Sequence, residues 1–246
     1  SVSSAASDVY KRQDLGRVFP ASASFATHTS TFIENLPVID AGNRADWFKN
    51  ARDDYRTFSK QQPKNLTLNP AFVFERLRAL CSDDVVITNG AGNFSIWAHR
   101  YFPLHSFNTQ LGPVSGAMGY ALPAALGAAA LGHEAIAVTG DGDFMMTVQE
   151  LATAAHHDLK VIIILLNNAM YGTIRMHQEK HYPDRKSATD LTNPNFAELA
   201  QAHGLNGIRI SANEEVENAL NKALASSKTT VIELLCDKDQ LTPGLR

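Results

Sequence analysis

The strongest constraint on the fold is an alternation, over residues 70–235, of short apolar runs with longer amphipathic stretches. The apolar runs lack the polar alternation of a half-exposed strand, so they are typical of strands covered on both faces. Strands that alternate with helices in this way form parallel sheets. The sequence therefore predicts an α/β fold, a doubly wound parallel sheet with helices on both faces, preceded by a partial domain segment. The predicted strands are VVIT, AIAVT, VIIILL, GIRI and TVIELL, beginning at Val85, Ala135, Val161, Gly207 and Thr230.

Helices are predicted between these strands. The pair Asn69-Pro70 indicates a helix start, because proline fits the first helical position, where no backbone N–H is needed. A stretch rich in small residues, residues 113–132, is predicted as a tightly packed helix. The predicted helices are AFVFERLRAL, FSIWAHRYF, PVSGAMGYALPAALGAAALG, MTVQELATAAHH, PNFAELAQAHG and NEEVENALNKALAS.

The first 60 residues have a different texture. Residues 1–13 are polar and unpatterned, and they resemble translated sequencing adapter, so we interpret them as a non-native leader ahead of a chain that was once longer. Residues 14–60 contain two short helical pieces, in TFIENLPVID and ADWFKNARDDYRTFSK, without a strand set to build a core. The polar stretch KQQPKNLTLNP reads as a linker. We therefore place the main domain at residues 61–246.

Bulk composition excludes several classes of protein. The chain of 246 residues is 44% hydrophobic and 19% charged with a net charge of −3, and no basic stripe points to nucleic acid or an anionic membrane as partner. The apolar tracts are too short to span a bilayer. Cys81 and Cys236 are the only cysteines, which argues against a disulfide framework and fits a cytoplasmic location.

Three loops at strand ends carry the chemistry: NGAGNF, GDGDF and NNAMYG. In parallel sheets ligands bind beyond the carboxyl ends of the strands. If the strands before Asp141 and Asn168 are neighbours, these two side chains emerge at the same edge of the sheet. Carboxylate and amide oxygens suit Mg²⁺ or Ca²⁺, and Mg²⁺ with a single firm acid ligand suggests a metal-bound diphosphate. The alternative interpretation of Asp141 is an ordinary solvated turn acid.

The sequence GDG at residues 140–142, followed 24 residues later by Asn167-Asn168, resembles the diphosphate-binding motif of thiamine-diphosphate enzymes. The segments TNGAGNFSIW and GPVSGAMGYALPAALGAA also look like the corresponding segments of the acetolactate synthase-like branch of that family. The resemblance covers roughly residues 65–246. It implies that residues 61–246 are the C-terminal, diphosphate-binding domain, and that residues 14–60 are the tail of the middle domain with its linker.

The resemblance also implies roles for individual residues. Mg²⁺ would be bound by the side chains of Asp141 and Asn168 and by the carbonyl of Met170. Gly116 would accept from the 4′-amino group of the cofactor, and Met118 would support its bent shape, although on composition alone Met118 is core filler. The expected cofactor-binding set is completed by Gly92, Asn93, Phe94, Gly140, Gly142, Asp143, Phe144, Tyr171 and Gly172.

The chemistry implied is that of a 2-oxo acid decarboxylase or carboligase. A ylid attacks the 2-oxo acid, carbon dioxide leaves, and the enamine is captured by a second carbonyl or a proton. Family members use a glutamate on an N-terminal domain to activate the cofactor, and no segment here resembles that domain. We therefore assign no catalytic residue within the chain and expect it to be incomplete for turnover alone. The alternative is a non-catalytic cofactor-binding module or pseudoenzyme.

Substrate and assembly are less constrained. After Asn168 the chain reads AMYGTIRMHQ, without the glycine-methionine step and the tryptophan common in acetolactate synthases, so another 2-oxo acid remains open. Flavin binding cannot be judged, and a homo-oligomer, a dimer or tetramer of the full-length protein, is expected from the resemblance. His177 and Gln178 are weak candidates for the substrate pocket.

Other polar residues have structural interpretations. Glu150 is interpreted as a structural or solvated helix residue, and His156 and His157 as residues at a helix C-terminus. The loop GAGNFS resembles a nicotinamide-binding glycine loop, but Ser95 stands where the third glycine belongs and no acid follows at the distance needed to bind the ribose.

Overall fold

A computed structural model describes residues 15–16, 20, 22–37, 42, 44–60, 66–238 and 240–243. The chain divides into two compact units, Ser1–Arg56 and Thr57–Arg246. The predicted leader at residues 1–13 lies outside the described residues, and the predicted domain bounds at residues 14–60 and 61–246 stay predictions.

The first unit contains helix α1 (Thr29–Glu34) and most of helix α2 (Ala45–Ser59). Both coincide with the short helical pieces predicted from the sequence. The rings of Phe25 and Phe32 lie 5.6 Å apart between centroids, next to α1. The described residues of α1 and α2 have no buried side chains in this structure.

The second unit holds the predicted sheet and its helices. Its strands are β1 (Val86–Asn89), β2 (Gln110–Leu111), β3 (Ala135–Gly140), β4 (Ile162–Asn167), β5 (Asn206–Ile210) and β6 (Thr230–Leu235). Its helices are α3 (Pro70–Leu80), α4 (Phe94–Tyr101), α5 (Ala121–Ala130), α6 (Asp141–Phe144), α7 (Glu150–His156), α8 (Gly172–His181), α9 (Phe196–Ala202) and α10 (Asn213–Ala225).

The six described strands form one sheet in the order β2-β1-β3-β4-β6-β5, with every pair parallel. Helices pack on both faces, so the predicted doubly wound α/β fold is confirmed. The strand order reverses between β1 and β3, which is a topological switch point of the kind where open sheets bind ligands. The register aligns Asn89 with Val138, and Gly140 with Leu166, so the ends of β1, β3 and β4 meet at one edge.

Alternate residues of β1, β3, β4 and β6 enter two separate hydrophobic cores. Ile136, Val138 and Ile164 point to the face covered by α3, α4 and α10. Ala137, Ile163 and Leu165 point to the face covered by α5, α7 and α9. Because both faces are covered, the strand sequences are apolar throughout, which is the signal that predicted them.

The structure corrects several predicted elements. The small-residue stretch is helical only in α5, from Ala121, because Gly116 and Gly119 have φ values of +67° and +83°, outside the helical region. The helix predicted from Met146 begins at Glu150, and the GDGDF turn contains the one-turn helix α6. Helix α8 and strand β2 were not predicted. Within the described part of the chain, no helix is both long and apolar enough to cross a lipid bilayer.

Candidate functional site

A cleft opens at the carboxyl ends of β1, β3 and β4, at the switch point of the sheet. Its walls come from the loop after β1, the start of α6, the loop between β4 and α8, and the segment after β6. The cleft is lined by Pro70, Ala91, Gly92, Asn93, Phe94, Trp97, Met118, Gly140, Asp141, Gly142, Asp143, Leu166, Asn168, Met170, Tyr171, Gly172, Thr173, Ile174, Cys236, Gln240 and Leu241.

Nearly all of the residues predicted for the site line this one cleft, including the three predicted metal ligands. Two predicted residues are placed elsewhere. Gly116 is exposed in the loop before α5 and does not line the cleft. The Phe144 side chain is buried in the core, where its ring lies 5.6 Å from that of Phe196, and Phe144 does not line the cleft.

Asp141 is the first residue of α6 and is only 2% exposed. Its Oδ1 accepts from the Gly142 backbone N–H at 2.9 Å, and its Oδ2 accepts from Asn193 Nδ2 at 2.7 Å. Burial raises the pKa of the Asp141 carboxyl, and these hydrogen bonds oppose that shift. Burial also raises the pKa of Asp143, so the floor of the cleft penalises uncompensated negative charge. A bound cation would remove that penalty.

The two glycines that flank Asp141 are close-approach positions for aromatic rings. A Cβ atom added to Gly140 would lie 2.6 Å from Cδ1 of Phe94, and one added to Gly142 would lie 2.6 Å from Cε1 of Tyr171. Neither contact leaves room for a methyl group. The space beside these glycines is filled by two side chains that themselves line the cleft.

Asn168 and Met170 have polar groups available to a ligand. Among the described residues, none forms a hydrogen bond with the Asn168 side chain, which is half-buried in the cleft. Met170 forms an antiparallel bridge with Asp190, and the hydrogen bonds run from Tyr171 N to the Thr189 carbonyl and from Leu191 N to the Ala169 carbonyl. This pattern leaves the Met170 carbonyl outside the ladder.

These groups fit a hard divalent cation. An ionised carboxylate has about four lone-pair sites, so Asp141 retains capacity beyond its two hydrogen bonds. An amide oxygen from Asn168 and a backbone carbonyl from Met170 complete a set of oxygen donors, the ligands that Mg²⁺ prefers. The described residues contain no cluster of three His, Cys, Asp or Glu side chains, so a softer metal has no comparable site there.

Asn167, the neighbour of Asn168, has a different role. Its Nδ2 donates to Oε1 of the fully buried Glu233 at 2.7 Å, and its Oδ1 accepts from Ala169 N at 3.1 Å. Asn193 Nδ2 donates to Asn167 Oδ1 at 2.9 Å as well as to Asp141. A hydrogen-bonded chain therefore runs from Glu233 through Asn167 and Asn193 to the Asp141 carboxylate.

The sequence reasoning missed Asn193 and Glu233. Asn193 lies in the polar loop before α9, and no motif spacing marks it. Glu233 was part of a predicted strand, and its charge in the otherwise apolar run TVIELL was the one available signal. Its Oε2 has no hydrogen-bond partner among the described residues, although Arg209 Nε lies 3.4 Å away as an ion pair.

Thr173 was also missed, and it fixes Asn93. The Asn93 backbone N–H donates to Thr173 Oγ1 at 3.0 Å, and the Thr173 hydroxyl donates to Asn93 Oδ1 at 3.0 Å. The Asn93 amide nitrogen contacts the sulfur of Met176 at 3.5 Å. Helix α8 therefore holds the loop after β1 in place at the cleft.

The remaining candidates have structural contacts. Gln178 bonds the backbone of Ser187 through both its amide atoms, at 2.9 and 3.1 Å, and does not line the cleft. His177 stacks on His181 on the exposed side of α8. Glu150 accepts from the Thr153 hydroxyl at 2.7 Å in the first turn of α7, and His156 and His157 end that helix.

Comparisons with known proteins point to one family. A family model described as "Thiamine pyrophosphate enzyme, C-terminal TPP binding domain" matches residues 90–234. An acetolactate synthase of Mycobacterium bovis is 35% identical over 198 residues, which are 76% of this chain and 32% of that protein. The mitochondrial acetolactate synthase catalytic subunit of Saccharomyces cerevisiae is 32% identical over 212 residues, covering 82% of this chain and 31% of that protein. The chain spans about a third of the length of these relatives.

Two solved structures share the fold. A 4-hydroxybenzoylformate decarboxylase of Rhodococcus jostii RHA1, described as thiamine diphosphate-dependent, matches 74% of this chain and 35% of its own with a TM-score of 0.68 and 29% identity. A benzoylformate decarboxylase of Polynucleobacter necessarius matches 76% of this chain and 36% of its own with a TM-score of 0.69. At 23% identity, this second match supports the fold alone.

Proposed function

The chain belongs to the thiamine pyrophosphate enzymes, as an acetolactate synthase-like C-terminal TPP-binding domain, and on this premise we propose that its cleft binds thiamine diphosphate through Mg²⁺ as part of a 2-oxo acid decarboxylase or carboligase. One observation carries the proposal. Asp141, Asn168 and Met170 line the same cleft, and among the described residues neither the Asn168 side chain nor the Met170 carbonyl has a hydrogen-bond partner.

In this proposal the cation is bound by Asp141, Asn168 and the carbonyl of Met170. Asn193 holds the Asp141 carboxylate from the side by donating to its Oδ2 at 2.7 Å. Burial raises the pKa of Asp141 because it disfavours the charged carboxylate. A bound cation would offset this cost and favour the ionised form. Mg²⁺ keeps few protein ligands and completes its shell with phosphate oxygens and water, which matches the small number of donors here.

The other cleft residues would hold the rest of the cofactor. Gly92, Asn93 and the backbone at the start of α4 would contact the diphosphate, with Asn93 fixed by Thr173. Met118, which lines the cleft and is 36% exposed, would support the rings. Apolar neighbours such as Trp97 and Leu241 would exclude water. When bound, the cofactor supplies the carbanion chemistry that 2-oxo acid decarboxylation requires, while the protein contributes orientation and electrostatics.

The substrate class is proposed from the family. The relatives named above include acetolactate synthases and a 4-hydroxybenzoylformate decarboxylase, so we propose a 2-oxo acid as substrate and leave its side chain open. A homo-oligomer is part of the proposal, and the exposed side chains of Met145, Met146 and Ile174 beside the cleft offer apolar surface for it. Cys81 and Cys236 are both free thiols, in agreement with a cytoplasmic location.

The test is cofactor binding by the 246-residue chain. We expect calorimetry to detect thiamine diphosphate binding that requires Mg²⁺ and is abolished by a chelator. Replacement Asp141→Ala should remove this binding while the chain still unfolds cooperatively. The control Asp54→Ala removes an exposed carboxylate of α2 and should leave the affinity unchanged. Equal affinity in the Asp141→Ala variant and the unmodified chain would overturn the assignment of the cleft.

Turnover is a separate measurement. The resemblance assigns the activating glutamate to a domain that no segment of this chain resembles, so we expect the chain alone to bind the cofactor without sustained decarboxylation of pyruvate. Carbon dioxide release or carboligation above the level of free cofactor would contradict this part of the proposal while leaving the binding proposal intact.

A further inference from the structure

The side chain of Asp143 joins two loops and the end of strand β3 beside the cleft. It is only 2% exposed. Its Oδ1 accepts from the backbone N–H of Ala91 at 3.0 Å and of Gly119 at 2.9 Å, and its Oδ2 accepts from the Thr139 hydroxyl at 2.6 Å. A Cβ atom added to Gly90 would lie 1.9 Å from Oδ2, so the carboxylate packs directly against the loop after β1. The loop after β1, the loop before α5 and the end of β3 therefore meet at one carboxylate.

Gly119 is held on both sides by the segment that contains α6. Its N–H donates to Asp143, and its carbonyl accepts from the Thr147 hydroxyl at 2.9 Å. Its φ is +83°, and a Cβ atom there would lie 2.8 Å from Cβ of Met146. Only glycine adopts this conformation without strain in so little space. The backbone next to Met118 is thus fixed from both directions.

We propose that Asp143 is a positioning residue that sets the place of Met118 relative to Asp141. The inference rests on the proposed function, in which Asp141 binds the cation and diphosphate end of the cofactor and Met118 supports its rings. Asp141 and Asp143 both lie in the one-turn helix α6, so the residue that would bind the cation and the residue that holds the backbone next to Met118 belong to one short element. Nothing in the motif GDG itself assigns this role, because Asp143 follows it.

The geometry of the three hydrogen bonds shows that the role of Asp143 does not need its charge. Both backbone N–H groups donate to the same oxygen, Oδ1, and only the Thr139 hydroxyl contacts Oδ2. An asparagine in the same position could accept both N–H groups through its Oδ1 and donate from Nδ2 to the hydroxyl, which can accept. It would keep the arrangement and remove a negative charge from a cleft proposed to bind a diphosphate.

The experiment compares two probes on the 246-residue chain with saturating Mg²⁺: thiamine diphosphate, which in the proposed function would contact both the Asp141 and the Met118 parts of the cleft, and inorganic diphosphate, which would contact only the Asp141 part. We expect Asp143→Ala to lose about 10–100-fold in affinity for thiamine diphosphate, the range for groups that orient site residues, and much less for inorganic diphosphate. Thr147→Val, which removes only the contact to the Gly119 carbonyl, should weaken thiamine diphosphate binding and leave the inorganic diphosphate affinity unchanged. The variant Asp143→Asn should keep the affinity of the unmodified chain for both probes.

Each outcome separates the inference from the function on which it rests. If the unmodified chain binds inorganic diphosphate but not thiamine diphosphate, the proposed function fails and the role of Asp143 fails with it. If the unmodified chain binds both probes and the variants weaken both equally, Asp143 acts only on general stability and the inference alone is overturned. Failure of Asp143→Asn to keep the affinity of the unmodified chain would also overturn it. Should Asp143→Ala not fold, the Thr147→Val and Asp143→Asn comparisons still decide.

Discussion

At the scale of single residues, the cleft is organised by side chains that hold other side chains. Asn193 donates one amide group to both Asp141 and Asn167, at 2.7 and 2.9 Å. Asn167 in turn donates to Glu233, which has no exposed surface. A buried carboxylate with a raised pKa depends on such donors to remain ionised, because burial alone favours its neutral form.

We predict that Asn193→Ala lowers the Mg²⁺ affinity of the chain, measured by calorimetry with saturating thiamine diphosphate, by about 10–100-fold, because the Asp141 carboxylate loses the donor that orients it. The matched control is Asn195→Ala, two residues further on. Asn195 accepts from the N–H groups of Ala197 and Glu198 at the start of α9 and does not contact Asp141. The control should have a free energy of unfolding that is lower by about 1 kcal/mol and an unchanged Mg²⁺ affinity. A normal Mg²⁺ affinity in Asn193→Ala would refute the prediction.

At the scale of elements, the N-termini of α3 and α10 are hydrogen-bonded to each other. The Asn69 side chain caps α3 by accepting from Ala71 N at 3.0 Å, and the Asn69 N–H donates to Oδ1 of Asn213 at 2.8 Å. Asn213 N donates back to the Thr67 carbonyl at 2.8 Å. The first helix of the second unit and its last are therefore aligned through their N-termini, on the same face of the sheet.

We predict that Asn69→Ala lowers the free energy of unfolding by about 1 kcal/mol, because the Ala71 N–H loses its buried acceptor. Urea titration of the 246-residue chain measures this change. Asn69→Ser, which provides an oxygen at the cap, should retain most of the stability. If serine and alanine destabilise equally, the cap does not contribute and the packing of the side chain explains the loss.

At the scale of the whole molecule, the thiols of the second unit report on its integrity. Burial raises the pKa of Cys81 to about 11 and that of Cys236 to about 12, with the carboxylates of Asp141 and Asp237 adding to the second shift. A raised thiol pKa means less thiolate at a given pH, and the thiolate is the reactive form. The two cysteines lie near the two ends of the second unit's sequence, Cys81 directly after α3 and Cys236 directly after β6.

Relative to a thiol with a pKa of 9.0, we predict that at pH 8 the native chain reacts with a disulfide reagent roughly 100-fold more slowly at Cys81 and roughly 1,000-fold more slowly at Cys236, in proportion to the lost thiolate. The rate should rise as the pH approaches each pKa, and both thiols should react quickly in denaturant. Single Cys→Ser variants assign the two phases. A fast phase from the native chain at pH 8 would contradict the burial of that thiol.

Much of this fold and of the candidate site was predictable because it depends on strand neighbours. The apolar runs predicted five of the six described strands, and their parallel pairing brings Asp141 and Asn168 to one edge. The match to residues 90–234 confirms the resemblance drawn from GDG with the later Asn167-Asn168 pair and from the segments TNGAGNFSIW and GPVSGAMGYALPAALGAA. The two-residue strand β2 has no hydrophobic signal of its own, and α8 was missed because its sequence is polar without apolar periodicity.

The supporting residues were not predictable because tertiary contacts place them. Asn193 reaches Asp141 only because the chain after α8 returns, through the Met170–Asp190 bridge, to the loop after β4. Asp143 was predicted only as a member of the cofactor-binding set, yet its side chain bonds two other loops, at Ala91 and at Gly119. The spacing of motifs along the sequence predicts which strand ends are neighbours. It does not predict which side chain of a loop contacts the cleft residues.

The order of the cleft residues along the chain has a consequence for biosynthesis. Among the residues that the structure describes, those that line the cleft lie between Pro70 and Ile174, apart from Cys236, Gln240 and Leu241. A ribosome therefore produces all the proposed cation ligands, and Asn193 soon after them, before it produces β6, which pairs with β4, and the final part of the cleft wall. Translation that stops before residue 230 yields a polypeptide with its proposed ligands present and the sheet beneath them unfinished.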